Sequence, residues 1–199
     1  MRAPCLSRRA ALLLPLGLAA CGGAPPPPIA YTPLRYNMLL PLRLNVASIE
    51  IENHAPPPGP GDIAALSPEP PAAALEQMAR DRLFAAGSGG HAVFVIDQAS
   101  IVRRDPETLV GNLAVELDIV ADNGARAGFA EARVSRIQTL GSGPVNLQNV
   151  LYTMTSQMLQ DMNVEFEYQV RARLGDWLLR GPPTAAPAPV QTSPLPPLS

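Results

Sequence analysis

From residue 109 to 121 apolar side chains recur at every second position. Leu109, Gly111, Leu113, Val115, Leu117, Ile119 and Ala121 share one side, and Asn112, Glu116, Asp118 and Asp122 share the other. A period of two with one apolar and one polar side predicts a strand with a buried and a wet face, as in antiparallel sheets. Val110 and Val120 are the two apolar exceptions on the wet side. Asp122-Asn123-Gly124 then predicts a hairpin, because Asn and Gly tolerate positive φ. The return strand, expected over 127–140, carries Gly128, Ala130, Ala132 and Val134 on one side and Phe129, Glu131, Arg133 and Ser135 on the other. Its small side leaves room for a helix to lie close.

That helix is predicted over 146–180. Leu147, Val150, Leu151, Met154, Met158, Leu159 and Met162 recur at spacings of three and four, and Phe166, Val170, Leu174 and Trp177 extend the stripe. Residues 163–168 also fit a short strand, yet no breaker flanks them, so the helix is expected to run through. Arg171, Arg173 and Arg180 sit where a helix dipole favours cations, and Gly181-Pro182 supplies a stop. A second helix is predicted over 72–86, with Leu75, Met78, Ala79, Leu83 and Ala86 on one face and Gly87 as its end. Residues 92–102, rich in β-branched side chains, read as a strand, and 103–107 as a turn around Pro106.

Upstream, Leu40, Leu42, Leu44 and Val46 alternate with Pro41, Arg43 and Asn45, and the phase then slips so that Ile49 and Ile51 are apolar between Ser48, Glu50 and Glu52. A bulge produces such a slip. A strand buried on both faces early and on one face late produces it too, and both readings stay open. The predicted order is strand, helix, three strands as a meander, helix. It implies an α+β fold, β-α-β-β-β-α, with two helices on one face of a mostly antiparallel four-stranded sheet.

The 24 prolines mark the boundaries. Between residues 72 and 181 only Pro106 and Pro144 occur, and the rest crowd the ends and the stretch up to Pro71. Proline removes a backbone donor and fixes φ, so such clusters resist helix and sheet. A single domain is expected over 36–180, with 55–71 as a proline-rich loop and 181–199 as a disordered tail rich in Pro and Ala.

The amino end has its own pattern: Arg2, Arg8 and Arg9, then an apolar run through Leu18, then small residues and Cys21. The run from Ala10 to Ala20 is much shorter than the about 20 residues a membrane-crossing helix needs, so it reads as an export signal over 1–20. Leu18-Ala19-Ala20-Cys21 resembles the lipobox of bacterial lipoproteins. Ser7-Arg8-Arg9 faintly resembles a twin-arginine signal, and ordinary export is expected. The lipobox resemblance implies cleavage before Cys21, diacylglycerol on its sulfur and an acyl chain on its new amino group. Residues 21–35 would then form a lipidated tether. One acyl chain anchors only marginally, so several are needed for stable attachment, and a processed lipoprotein provides them. Gly22 after the anchor resembles lipoproteins sent to the outer membrane; that location facing the periplasm is expected, with the inner membrane as the alternative.

Loss of Arg2, Arg8 and Arg9 would leave 12 basic against 17 acidic side chains, a net charge of −5. That balance disfavours a nucleic-acid partner. Cys5 would also be lost and Cys21 acylated, so no thiol would remain for a disulfide or a metal, and no metal or cofactor is expected. His54 and His91 are the only histidines, the first expected in solvent and the second at a glycine turn. Gly87-Ser88-Gly89-Gly90-His91-Ala92 fits a dinucleotide fingerprint formally, but a helix precedes it and a strand follows, the reverse of what the chemistry requires.

Three carboxylate pairs, Glu50/Glu52, Glu116/Asp118 and Glu165/Glu167, could suggest acid–base work. The first two are expected on the wet side with ordinary pKa values, as a solubilising face. Arg103-Arg104 and the arginines near Arg171 could meet anionic headgroups, but a turn and a helix end account for them. Met154, Met158 and Met162 could form an adaptable groove and Trp177 could lie at a membrane; core packing is the expectation for all four. No catalytic residue is expected. In element order only, residues 36–180 resemble lipopolysaccharide-assembly lipoproteins and the auxiliary lipoproteins of ABC-type lipid transporters. The resemblance implies a non-enzymatic accessory or assembly subunit of a cell-envelope complex, held at a membrane by Cys21 and docking an envelope protein. A module binding lipid or lipopolysaccharide between helix and sheet is the alternative.

Overall fold

The computed structural model describes residues 29–141 and 143–179, and its compact unit begins at Tyr31. The signal, Cys21 and the tail 181–199 lie outside the described residues. The strands are β1 (Leu42–Leu44), β2 (Ser48–Asn53), β3 (Leu83–Ala85), β4 (His91–Asp105), β5 (Thr108–Val120) and β6 (Arg126–Thr139); the helices are α1 (Pro71–Arg82) and α2 (Leu147–Arg173). A four-stranded sheet has the order β2-β4-β5-β6, and β1 pairs with β3 in a separate two-stranded sheet.

The meander β4-β5-β6 is antiparallel, as expected, but β2 pairs with β4 in parallel, so the larger sheet is mixed. Helix α1 lies between β2 and β4 in sequence, and a crossover of this kind is what lets two strands run the same way.

The phase slip after Val46 is neither a bulge nor a two-faced strand. It is a transfer of the chain from one sheet to the other. Leu42, Leu44 and Val46 are buried. The amide of Asn45 donates to the carbonyl of Trp177 and that of Ala47 to the carbonyl of Gly90, so the backbone changes partners within three residues. Gly87 lies so close to this crossing that an added Cβ would sit 2.5 Å from the carbonyl carbon of Asn45.

Three other boundaries move for related reasons. Helix α1 stops at Arg82, not at Ala86, because Leu83 turns to extended backbone and enters the pairing of β3 with β1. Helix α2 stops at Arg173, not at Arg180: a 3₁₀ turn at Gly175–Trp177 follows, and Leu178 then bridges to Leu44. Strand β4 runs to Asp105, through most of the predicted turn, because its ladder with β5 continues to the pair Asp105 and Thr108, while part of the proline-rich segment bonds to its other side. The amide of Ile63 donates to the carbonyl of Ile101, and that of Arg103 to the carbonyl of Gly61.

Both helices lie on one face. Ala74, Leu75 and Met78 of α1 and Leu151, Met158 and Phe166 of α2 share one core with Phe94, Leu113, Leu117 and Ala130. Phe94 meets Phe166 edge to face at 5.5 Å between ring centres. The small residues of the sheet admit α2 as the sequence predicts. A Cβ on Gly111 would lie 2.4 Å from the sulfur of Met158, and one on Gly128 would lie 2.9 Å from Leu174. Because Gly111 is opposite Arg136, α2 runs antiparallel to β6, from the level of Arg136 to that of Gly128. Asn146 caps α2 by accepting the amide of Asn149.

The segment expected to belong to the tether is shorter than predicted. Tyr31 packs on Tyr152 at 5.0 Å, the hydroxyl of Tyr152 donates to the carbonyl of Thr32, and Arg35 donates to both carboxylate oxygens of Asp81 at 3.0 Å. Residues 31–35 are therefore part of the body. Burial alone would push Asp81 up, but its bonds from Arg35, the Tyr36 amide and Gln77 outweigh it and hold the carboxyl below its usual range.

Candidate functional site: the open face of the sheet

The face of the large sheet away from the helices is built in two rows. Across the four strands, Glu52 lies beside Val95, Val95 beside Glu116 and Glu116 beside Glu131; in the next row Glu50, Val93, Asp118 and Phe129 follow one another. Period-two alternation puts all eight on the same side. The two valines floor a shallow groove of about 470 Å³, walled by Glu52, Asp97, Glu116 and Asp118, with His54 and Arg126 at its rim.

Arg126 enters from the turn whose Gly124 takes φ of 77°. Its guanidinium pairs with both Glu116 and Asp118 and stands 4.2 Å over the ring of Phe129. On the other side, Nε2 of His54 lies 2.9 Å from a carboxylate oxygen of Glu52. Glu116 departs from the ordinary pKa expected of it. Partial burial and the repulsion of Asp118 raise its pKa, against the opposing pull of Arg126. Glu131, directly opposite, adds a third carboxylate to the row. Such a groove suits a cationic or amide-bearing group laid on an apolar floor. The raised pKa follows from partial burial and from a like charge two residues along the same strand, and no further chemistry is needed to account for it.

The remaining sequence candidates are scattered. His91 opens β4 beside Ser48, whereas His54 follows the far end of β2, a strand length away. Among the described residues no three His, Cys, Asp or Glu side chains are grouped to hold a metal. The glycine loop 87–90 is a crossing between strands: Gly90 has φ of 65° and its amide donates to Asp122. Met154, Met158 and Met162 are buried, and Trp177 packs partly buried on the core. Arg103 donates to the carbonyl of Pro106, and Arg171 pairs with Glu167 at 2.8 Å.

Sequence reasoning passed over Arg82. It is 2 % exposed and donates to Oδ1 of Asn163 at 2.8 Å and to Glu167 at 2.5 Å, tying α1 to α2. Burial would raise the pKa of Glu167, but the bonds from Arg171 and Arg82 win and lower it. A signal existed: Arg82 continues the Leu75, Met78, Ala79 stripe at helical spacing, so its position was already on the inner face.

No protein-family model matches the chain, and no curated protein matches it. Among solved structures, a Xanthomonas campestris protein of the DUF330 family shares 10% identity over 72% of this chain and 95% of its own, with a TM-score of 0.44. Lipoprotein GNA1162 of Neisseria meningitidis shares 13% identity over 58% of this chain and 99% of its own, with a TM-score of 0.25. At such TM-scores neither likeness bears on fold or function.

Proposed function

We propose that this chain is a lipid-anchored, non-catalytic accessory or assembly subunit of a cell-envelope complex. It is held at the outer membrane through Cys21, faces the periplasm, and docks an envelope protein on its open sheet face. The observation that carries the reading is Leu18-Ala19-Ala20-Cys21 at the end of a short apolar run behind three arginines. Two features support it. Among the described residues no helix is long and apolar enough to cross a membrane, so attachment by acyl chains supplies what a spanning helix would otherwise provide. The uncovered face also pairs an apolar floor with carboxylate walls, a surface that can receive basic side chains of a partner.

The alternative, a lipid held between helix and sheet, meets an interface closed at Gly111 and Gly128 by Met158 and Leu174. Palmitate labelling of cells producing the chain tests the anchor. Label should enter the wild type and be lost in Cys21→Ala, which should also leave the membrane fraction. An unlabelled wild type overturns the reading. A photocrosslinker placed at Val95 tests the docking face: an envelope protein captured there, and lost with Glu116→Lys, is the expected result.

A further inference from the structure

We infer that the free edge of β6 is a self-complementary interface for a second copy of this chain, paired antiparallel about Ala132. Strand β6 ends the sheet order, and among the described residues no strand pairs with its outer side. Along its fourteen residues the backbone groups that point away from β5 are a template for another strand, and a two-fold contact presents the same patch twice. Directly opposite residues in an antiparallel pair point to the same face. Within one chain Glu131 and Arg133 already pair with each other, and pairing about Ala132 sets Glu131 of each copy against Arg133 of the other, joining the two ion pairs into one four-charge network astride the axis. Moving the centre by one residue sets Glu131 against itself or Arg133 against itself.

Two further features fit the same centre. Arg136 points towards α2 and is neutralised by Asp161 at 2.7 Å. An inward charge of this kind commonly keeps an edge single. In this register, however, Arg136 faces Gly128 of the other copy, which carries no side chain of its own, and Asp161 holds the guanidinium on its own helix, away from the Leu174 that covers that glycine. Above the edge, α2 passes from the level of Arg136 to that of Gly128, so Ala132 lies midway, beneath the turns that carry Val164 and Tyr168. These side chains are 74 % and 65 % exposed. Tyr168 is two turns from Asp161 on the stripe that overhangs β6, and Val164 is beside it. A two-fold axis at Ala132 brings both close to their counterparts and covers them. The edge pairing, the charge pattern and the exposed apolar pair thus converge on a second copy as the occupant.

The inference goes beyond the proposed function, and its test does not depend on acylation. Self-association of the full-length chain in detergent is measured by analytical ultracentrifugation. Glu131→Arg and Arg133→Glu each place like charges across both pairs and should weaken association about tenfold or more. The double reversal restores opposite charges and should restore association. Mixing Glu131→Cys chains with Arg133→Cys chains should give an oxidised dimer several-fold more abundant than either variant or the parent gives alone. A parent that stays monomeric at its highest soluble concentration overturns the inference. So does a double reversal no better than the single ones, or a mixed pair that crosslinks no more than the separate chains.

Discussion

On one side of β5, Leu113, Leu117 and Ile119 are sealed under α2; one residue along the same strand, Glu116 and Asp118 stand over an open groove. The two faces share backbone, register and twist and differ only in what lies above them. On the covered face, tolerance is set by distance, because interiors are close-packed and a single methylene is felt. On the open face it is set by charge, because the side chains keep part of their hydration and carboxylates on neighbouring strands repel.

Phe94→Ala attacks the covered face where two aromatic rings meet, and should cost about 3–5 kcal/mol in chemical denaturation. Gly111→Val fills the contact with Met158 and should cost about 1–3 kcal/mol, with a local shift of α2 visible in its amide resonances. On the open face the effects shrink. Arg126→Ala removes the cation shared by Glu116 and Asp118 and should lower stability by about 0.5–1 kcal/mol, raising the pKa of Glu116 further in a carboxylate titration.

The smallest effect has the opposite sign. Glu116 binds its proton more tightly in the folded state than in the unfolded chain, so folding carries a penalty once pH rises through its raised pKa. Glu116→Gln should therefore stabilise the protein at pH 7 by roughly 0.2–1 kcal/mol. The advantage should vanish below about pH 4, where the carboxyl is protonated in both states. Destabilisation by Glu116→Gln at pH 7 would show that the bond to Arg126 outweighs the repulsion, and the contrast between the faces would fail.

The elements legible in the sequence are those whose partner is dictated locally. The alternation through β5, the Asn123-Gly124 turn, the α2 stripe and the small residues of β6 each carry their own period, and each lies where it was expected. Leu83-Phe84-Ala85 was illegible for the opposite reason. Its local preference continues the helix, and only a strand some forty positions earlier makes it extended. The same non-local demand split the first strand and shortened α2. In the candidate site, the wet row of carboxylates could be read from alternation alone. The raised pKa of Glu116 could not, because it depends on how far the folded sheet buries the carboxyl and on Asp118 and Asp97 standing close enough to outweigh the pull of Arg126. The ordinary pKa expected for Glu116 therefore stood only while its neighbours were unknown.

The small sheet joins sequence-distant stretches of the chain: β1 is flanked by β3 on one side and by Leu178 and Leu179 on the other, the latter donating its amide to the carbonyl of Arg43. Leu44, at its centre, is fully buried. This clasp cannot close until residue 179 has been delivered, so a chain emerging amino end first keeps its first strand open on one side until almost the whole domain has been made. Under the proposed export to the envelope, late closure would preserve the slack that threading through a translocation pore requires.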